Sequence, residues 1–208
     1  KGISAALLMC TVQASLRSQA QNANGNLTEL VSAMNRLLHV STDASSYATF
    51  FYAQFDERTA QLTYVNAGHN PPLLVRAGRT AKARSVSYAG TIAGPNRDDN
   101  LENDRTPADV TLLTKGGPII GAFNNCVYEQ ETIQMESGDL LVAYTDGVTE
   151  ALNADGQEFG EASLRGIIDC SSNVSAQQLS ERIVESVRDW CGEVPPHDDL
   201  TLVVIKVK

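Results

Sequence analysis

The chain has 208 residues, a net charge of −9 and 42% apolar residues, the size and apolar content of one large domain with a real core. No cluster of Lys and Arg offers the basic footprint that nucleic acid demands. No run approaches the roughly 18 consecutive apolar residues of a membrane span. The acidic surplus reads either as a soluble surface or as carboxylates gathered around a metal ion. Cys10, Cys126, Cys170 and Cys191 form no C-x-x-C pair, which argues against zinc and thioredoxin-type chemistry. They fall mostly inside apolar segments, where a thiol acts as a small hydrophobe, and they fit a reducing, cytoplasmic compartment.

The first stretch, "KGISAALLMC", begins with Lys1 and Gly2 and carries no basic signal-peptide region. Residues 3–20 are expected to form a helix, because Ala5, Leu8, Val12 and Leu16 recur at helical spacing. "NANGN" breaks it. A second amphipathic helix spans 27–39 through Leu27, Leu30, Val31, Met34, Leu37 and Leu38, with Asn26 as N-cap and Glu29 as its capping-box partner.

Aromatic, β-prone segments follow. "YATFFYAQFD" and "QLTYVNAG" flank the turn "ERTA" and predict a β-hairpin; "HNPP" turns the chain into the strand "LLVRAG". Residues 78–110 are polar and lack periodicity, so a mobile insertion is expected there, with a short hairpin around "SVSYAGTIAG" as an option. Alternation resumes in "YEQETIQME", and "LLVAYTDG" is a buried strand that ends in Asp-Gly. Helices are expected over 159–169 and 176–191, the second with Leu179, Ile183, Val187 and Trp190 on one face. "LTLVVIKV" is the last strand. Strands joined by tight turns imply antiparallel pairing, so the expected fold is α+β: an antiparallel β-sandwich with helical layers on its outer faces.

Candidate chemistry sits at strand ends. Asp146, at the close of "LVAYTDG", is either the first half of a favoured Asp-Gly turn or a carboxylate presented rigidly at a sheet edge. Asp198 and Asp199, in "PPHDDLTLVVIKV", are either a solvated charged turn or ligands for a hard divalent cation, which accepts carboxylates from separated strand ends. His69 in "NAGHNPP" reads first as a turn residue bonded to nearby backbone. His39 ends a helix, where a cation suits the dipole, and His197 stands beside the paired acids. There is no G-x-S-x-G elbow, H-E-x-x-H pair or P-loop.

Taken together and in this order, "KGISAALLM", "ATFFYAQFDERTAQLTYVNAGHNPPLLVR", "GGPIIGAF", "GDLLVAYTDGVTEALNADGQEFG" and "HDDLTLVVIKV" resemble the SpoIIE/RsbU group. That group is the bacterial branch of the metal-dependent (PPM, type 2C-like) protein serine/threonine phosphatases. The resemblance covers nearly the whole chain outside 78–110. It implies one sandwich domain and two Mn²⁺ or Mg²⁺ ions that activate a water for in-line attack on a phosphoserine or phosphothreonine, with no phosphoenzyme. By the resemblance, Asp146 and Asp198 are metal ligands, Asp199 is a weaker assignment to the same role, and His69 lies in a hallmark loop without a catalytic role.

The resemblance also implies a departure. In the family, Lys-Gly closes a loop of the type G-D-V-x-G-K-G, whose Asp bridges the two metals, and further strands precede it. The chain is therefore expected to be an N-terminally truncated domain, feeble or inactive alone, with exposed sheet edges that invite pairing or homodimerisation. The family's substrates point to a phosphorylated anti-anti-sigma (STAS-type) protein in a partner-switching circuit, with a sensor or receiver domain upstream. Helix 3–20 would move the bridging loop as a switch. The competing reading is a pseudophosphatase, a binding module that grips a partner without turnover.

Overall fold

The computed structural model describes residues 3–20, 25–42, 47–80, 108–171, 174–196 and 198–208. Two helices, α1 (Ile3–Ala20) and α2 (Leu27–Ser41), precede the hairpin β1 (Phe50–Asp56) and β2 (Gln61–Ala67) and the strand β3 (Leu73–Thr80). Strands β4 (Ala108–Leu112), β5 (Gly116–Gly117), β6 (Glu131–Gln134) and β7 (Leu140–Tyr144) follow. The chain closes with α3 (Asp146–Thr149), α4 (Gly160–Asp169), α5 (Ala176–Cys191) and β8 (Leu202–Lys206). Every expected element is present in the expected order, with β4, β5 and α3 in addition. Residues 81–107, the body of the expected insertion and its optional hairpin, lie outside the described residues, as do Lys1, Gly2 and His197. The flanks of that segment are strand: β3 runs to Thr80, and β4 returns beside it with Arg76 opposite Asp109.

The strands form two four-stranded sheets, one of β1, β2, β5 and β6, the other in the order β4-β3-β7-β8. Side-chain alternation sorts them into three cores. Leu73, Val75, Leu140, Val142 and Tyr144 face α4 and α5. Their neighbours Leu74 and Leu141 face the other sheet, where they meet Leu62 and Tyr64. Val65 and Ala67 turn outward to α2. A strand buried on both faces has no polar side to show, which is why "LLVAY" is apolar throughout.

Local signals account for the helices. In α2 the Asn26 side chain accepts from the Glu29 amide at 3.1 Å, capping the helix start. The Glu29 carboxylate answers to the Asn26 side-chain amide (3.4 Å), a variant of the expected capping box. Ser175 and Gln178 form the full reciprocal box at the head of α5. Leu179, Ile183 and Val187, four residues apart, are buried beneath that helix.

Several expectations need correction. Leu37 is exposed on α2, and buried Asn35 takes its place on the inner face, because its amide ties down the 121–124 loop. Ala5 is exposed; α1 meets α2 through Leu8, Val12, Leu16 and Ala20. None of the four cysteines is buried: Cys10 and Cys170 are exposed, Cys126 and Cys191 half-buried, and all four are free thiols. One strand pair is parallel, β2 with β5, with Asn66 opposite Gly116. Among the described residues, no helix is long and apolar enough to cross a membrane.

Asp139 anchors one end of the β3–β7–β8 sheet. Its carboxylate is 1% exposed and accepts from Arg76 (2.7 Å) and from the amides of Ala77 (2.9 Å) and Glu136 (2.9 Å). Three donors on one buried carboxylate leave no slack: removing it strands a half-buried guanidinium and two amides. Asp139→Ala is expected to cost about 3 kcal/mol of folding stability, read as a lower urea midpoint with an unchanged slope.

Candidate metal centre

Strand register collects several loops at one end of the sandwich. Leu73, at the start of β3, pairs with Val142 near the end of β7, and β7 closes with Tyr144 opposite Leu202. Leu73 also pairs with Leu112, the last residue of β4. Residues 68–72, 113–117, 145–150 and 198–201 therefore share that edge.

The sharpest contact is between the two acid-bearing segments, 145–150 and 198–201. Thr145 is extended, and its amide donates to the Thr201 carbonyl at 3.1 Å. Its hydroxyl donates to the Asp199 carbonyl (3.3 Å) and accepts from the Thr201 amide (3.0 Å). Gly147 lies against the same carbonyl, so close that a Cβ there would sit 2.4 Å from the Asp199 oxygen. The two candidate sites, some fifty residues apart in the chain, are thus brought side by side through backbone contacts.

Asp146 does not sit in a simple Asp-Gly turn. It opens the one-turn helix α3, whose Val148 is buried and pins the turn to the core. Its carboxylate accepts from the Gly147 amide at 2.9 Å, and its carbonyl accepts from the Glu150 amide at 2.8 Å. The Asp198 carboxylate accepts from the Asp199 amide at 2.8 Å in the same manner. All three aspartates are exposed. Each of these local bonds engages one carboxylate oxygen of its own aspartate.

Exposed carboxylate oxygens on two locked loops suit a hard divalent cation, which prefers oxygen donors. The set is a partial shell. Among the described residues, no group of three or more His, Cys, Asp or Glu side chains is placed to hold a metal ion. A hard cation held there would draw oxygen donors from Asp146, Asp198 and Asp199 together with water or further ligands.

The histidines hold loops. The His69 amide donates to the Asn66 side chain (2.8 Å), and its Nδ1 lies 2.8 Å from the Asn70 carbonyl. Buried Asn66 also donates to the carbonyls of His69 (3.0 Å) and Leu113 (3.1 Å), joining two loops at this end. Gly116 is required beside it, since a Cβ there would fall 1.7 Å from the Asn66 carbonyl oxygen. His39 bonds through Nδ1 to the Gly121 carbonyl at 2.9 Å. Sequence reasoning missed Thr145, Gly147, Thr201 and Asn66. The only local trace of their roles was a Gly after each of two polar segments, and a Gly does not reveal which distant backbone it faces.

A model of the SpoIIE family (Stage II sporulation protein E) matches residues 1–93 and 101–208, omitting only 94–100. The phosphoserine phosphatase RsbU of Bacillus subtilis (strain 168) is 27% identical over 208 residues, covering 100% of this chain and 53% of that protein. The chain thus spans about half the length of that curated relative. Among solved structures, the SiaA-PP2C domain of Pseudomonas aeruginosa superposes with a TM-score of 0.72 at 15% identity, covering 100% of this chain and 72% of that one. The RsbU and RsbW domains of a Mycobacterium tuberculosis protein superpose at 0.65 with 22% identity, covering 99% and 48%. At such identities the two structures speak to the shared fold.

Gly147→Ala forces the 145–150 and 198–201 loops apart, or strains both, at a cost of about 1–3 kcal/mol. The expected result is a lower melting temperature and faster hydrogen exchange at the Thr145 and Thr201 amides. Unchanged exchange at both would mean that the close approach to Asp199 does not hold the loops together.

Proposed function

The chain belongs to the SpoIIE family, and on that premise we propose that it is the catalytic part of a metal-dependent protein serine/threonine phosphatase. The observation that carries this reading is the hydrogen-bonded junction of Thr145 with Asp199 and Thr201, which sets Asp146 beside Asp198 and Asp199. Carboxylates at the ends of two paired strands are held by the sheet rather than by a flexible loop, and a phosphate-handling centre needs that rigidity.

In this reading Asp146 and Asp198 are metal ligands and Asp199 supports them. Mn²⁺ or Mg²⁺ bound there supplies an activated water and offsets charge on the phosphoryl group. The protein's own part is positional. Thr145 and Thr201 fix the spacing of the two loops, Gly147 permits their approach, and the Gly147 and Asp199 amides orient the carboxylates. Buried Val148 keeps α3 from rotating Asp146 away.

The substrate we favour is a phosphorylated regulatory protein of the anti-anti-sigma (STAS) type, in a cytoplasmic partner-switching circuit. Two findings support it: the similarity to a phosphoserine phosphatase, and a structural neighbour in which an RsbU domain accompanies an RsbW domain. The sensor or receiver domain, the homodimer and the 78–110 insertion stay within the same proposal.

The test is metal-dependent release of phosphate from phosphoserine protein by the intact protein. EDTA abolishes it and Mn²⁺ restores it. Asp146→Asn and Asp198→Asn each lower Mn²⁺ affinity in calorimetric titration by at least about tenfold, the scale seen when even an outer-shell partner is lost. Full turnover in EDTA, or unchanged Mn²⁺ affinity in both variants, would overturn the assignment.

A further inference from the structure

A cleft of about 720 Å³ opens behind the candidate metal centre, between α3, the C-terminal half of α5 and the segment 192–200. Its volume is that of a small-ligand pocket, with room for roughly two dozen waters at liquid density. Leu152, Val184, Cys191, Val194, Pro195 and Pro196 give it an apolar side. Arg188 and Glu150 stand at its edges, and Gly147, Asp198 and Asp199 form the wall it shares with the metal centre.

The cleft is built into the fold. Gly192 ends α5 in the left-handed region (φ 55°), which turns the chain sharply away from the helix axis. The Val194 amide donates to the Cys191 carbonyl at 3.0 Å and closes that turn. Two consecutive prolines then carry the chain toward Asp198 along a stiff path, since each has a fixed φ. Trp190 is tied to the 157 carbonyl (3.2 Å) and packs edge-on against Phe159, which fixes the end of α5 on the core.

We propose that this cleft is a docking groove of the phosphatase for its protein substrate, taking an apolar side chain two or three residues from the phosphoserine. The inference rests on the phosphatase reading and extends it to substrate selection. Continuity carries it: Asp198 and Asp199 line the cleft as well as the candidate metal centre, so a phosphoserine held there sets its neighbouring residues within reach of the cleft. An extended peptide advances about 3.3–3.6 Å per residue, so a side chain two or three positions away lies roughly 7–11 Å from the phosphate. That span reaches the apolar part of the lining.

The experiment uses the intact protein with Mn²⁺ and a set of phosphoserine nonapeptides. Each peptide carries a single Leu moved through the positions around the phosphoserine, against a parent with Ser throughout. One or two Leu positions are expected to raise kcat/KM by at least about tenfold, the discrimination that one apolar side chain earns in a fitted pocket. In Val194→Trp, which fills the groove, the ratio of Leu peptide to parent is expected to fall toward one. A ratio is unaffected by a general loss of activity. The second readout is alkylation of Cys191, mapped by mass spectrometry, with exposed Cys170 as reference: the preferred Leu peptide slows modification at Cys191 alone.

The outcomes separate the two claims. Protection of Cys191 without hydrolysis of any peptide keeps the groove and overturns the phosphatase reading. Hydrolysis with no Leu preference and no protection overturns the groove and leaves the phosphatase. Protection that follows protein concentration without peptide assigns the groove to a second copy of this chain and also overturns the proposal.

Discussion

Antiparallel pairing of β7 with β8 is the constraint on which the metal end depends. The ladder runs from Leu140 opposite Lys206 to Tyr144 opposite Leu202, and a one-residue slip would exchange every inward and outward side chain. Because both faces of β7 are buried, such a slip would drive the side chains fitted to one core into the other. The register is therefore held by the hydrophobic cores, and the cores in turn hold the positions of Asp146 and Asp198. Precision at the site is inherited from packing some distance away.

The two ends of that ribbon do different work. At one end Asp139 is buried with three donors, and the chain exchanges bonds with Val207 on both sides of it (2.8 and 3.0 Å). At the other end the ladder finishes in the threonine junction, and carboxylates point outward from α3 and from the segment before β8. A satisfied buried charge rigidifies the first end. The exposed carboxylates at the second are the candidate ligands for a cation. Both ends are acidic, and burial alone separates the structural aspartate from the candidate ligands.

Corrections to the sequence reading share one cause. Leu37 had the right spacing for the inner face of α2, yet Asn35 occupies that face because a loop 86 residues away needs its amide. Gly116 and Gly117, outside every expected strand, pair in parallel with β2, and the local trace is a Gly that must clear the Asn66 carbonyl. Asp146, read as either half of a turn or a carboxylate held at a sheet edge, starts a helix because Val148 has a core to enter. In each case a distant partner outweighed the local preference.

Periodicity, capping and turn chemistry are local, so the sequence by itself determined the helices, the β1–β2 hairpin, the buried character of β7, the layered sandwich and the aspartates worth watching. It could name Asp146, Asp198 and Asp199 one by one. Their adjacency was decided by tertiary structure, through the β7–β8 register, the threonine bonds and the clearance at Gly147. The cleft beside them was decided there too, since its lining joins the 147–152 turn to the end of α5 and the chain that follows it. Such contacts depend on which surfaces meet after the cores form, and no spacing along the chain encodes them.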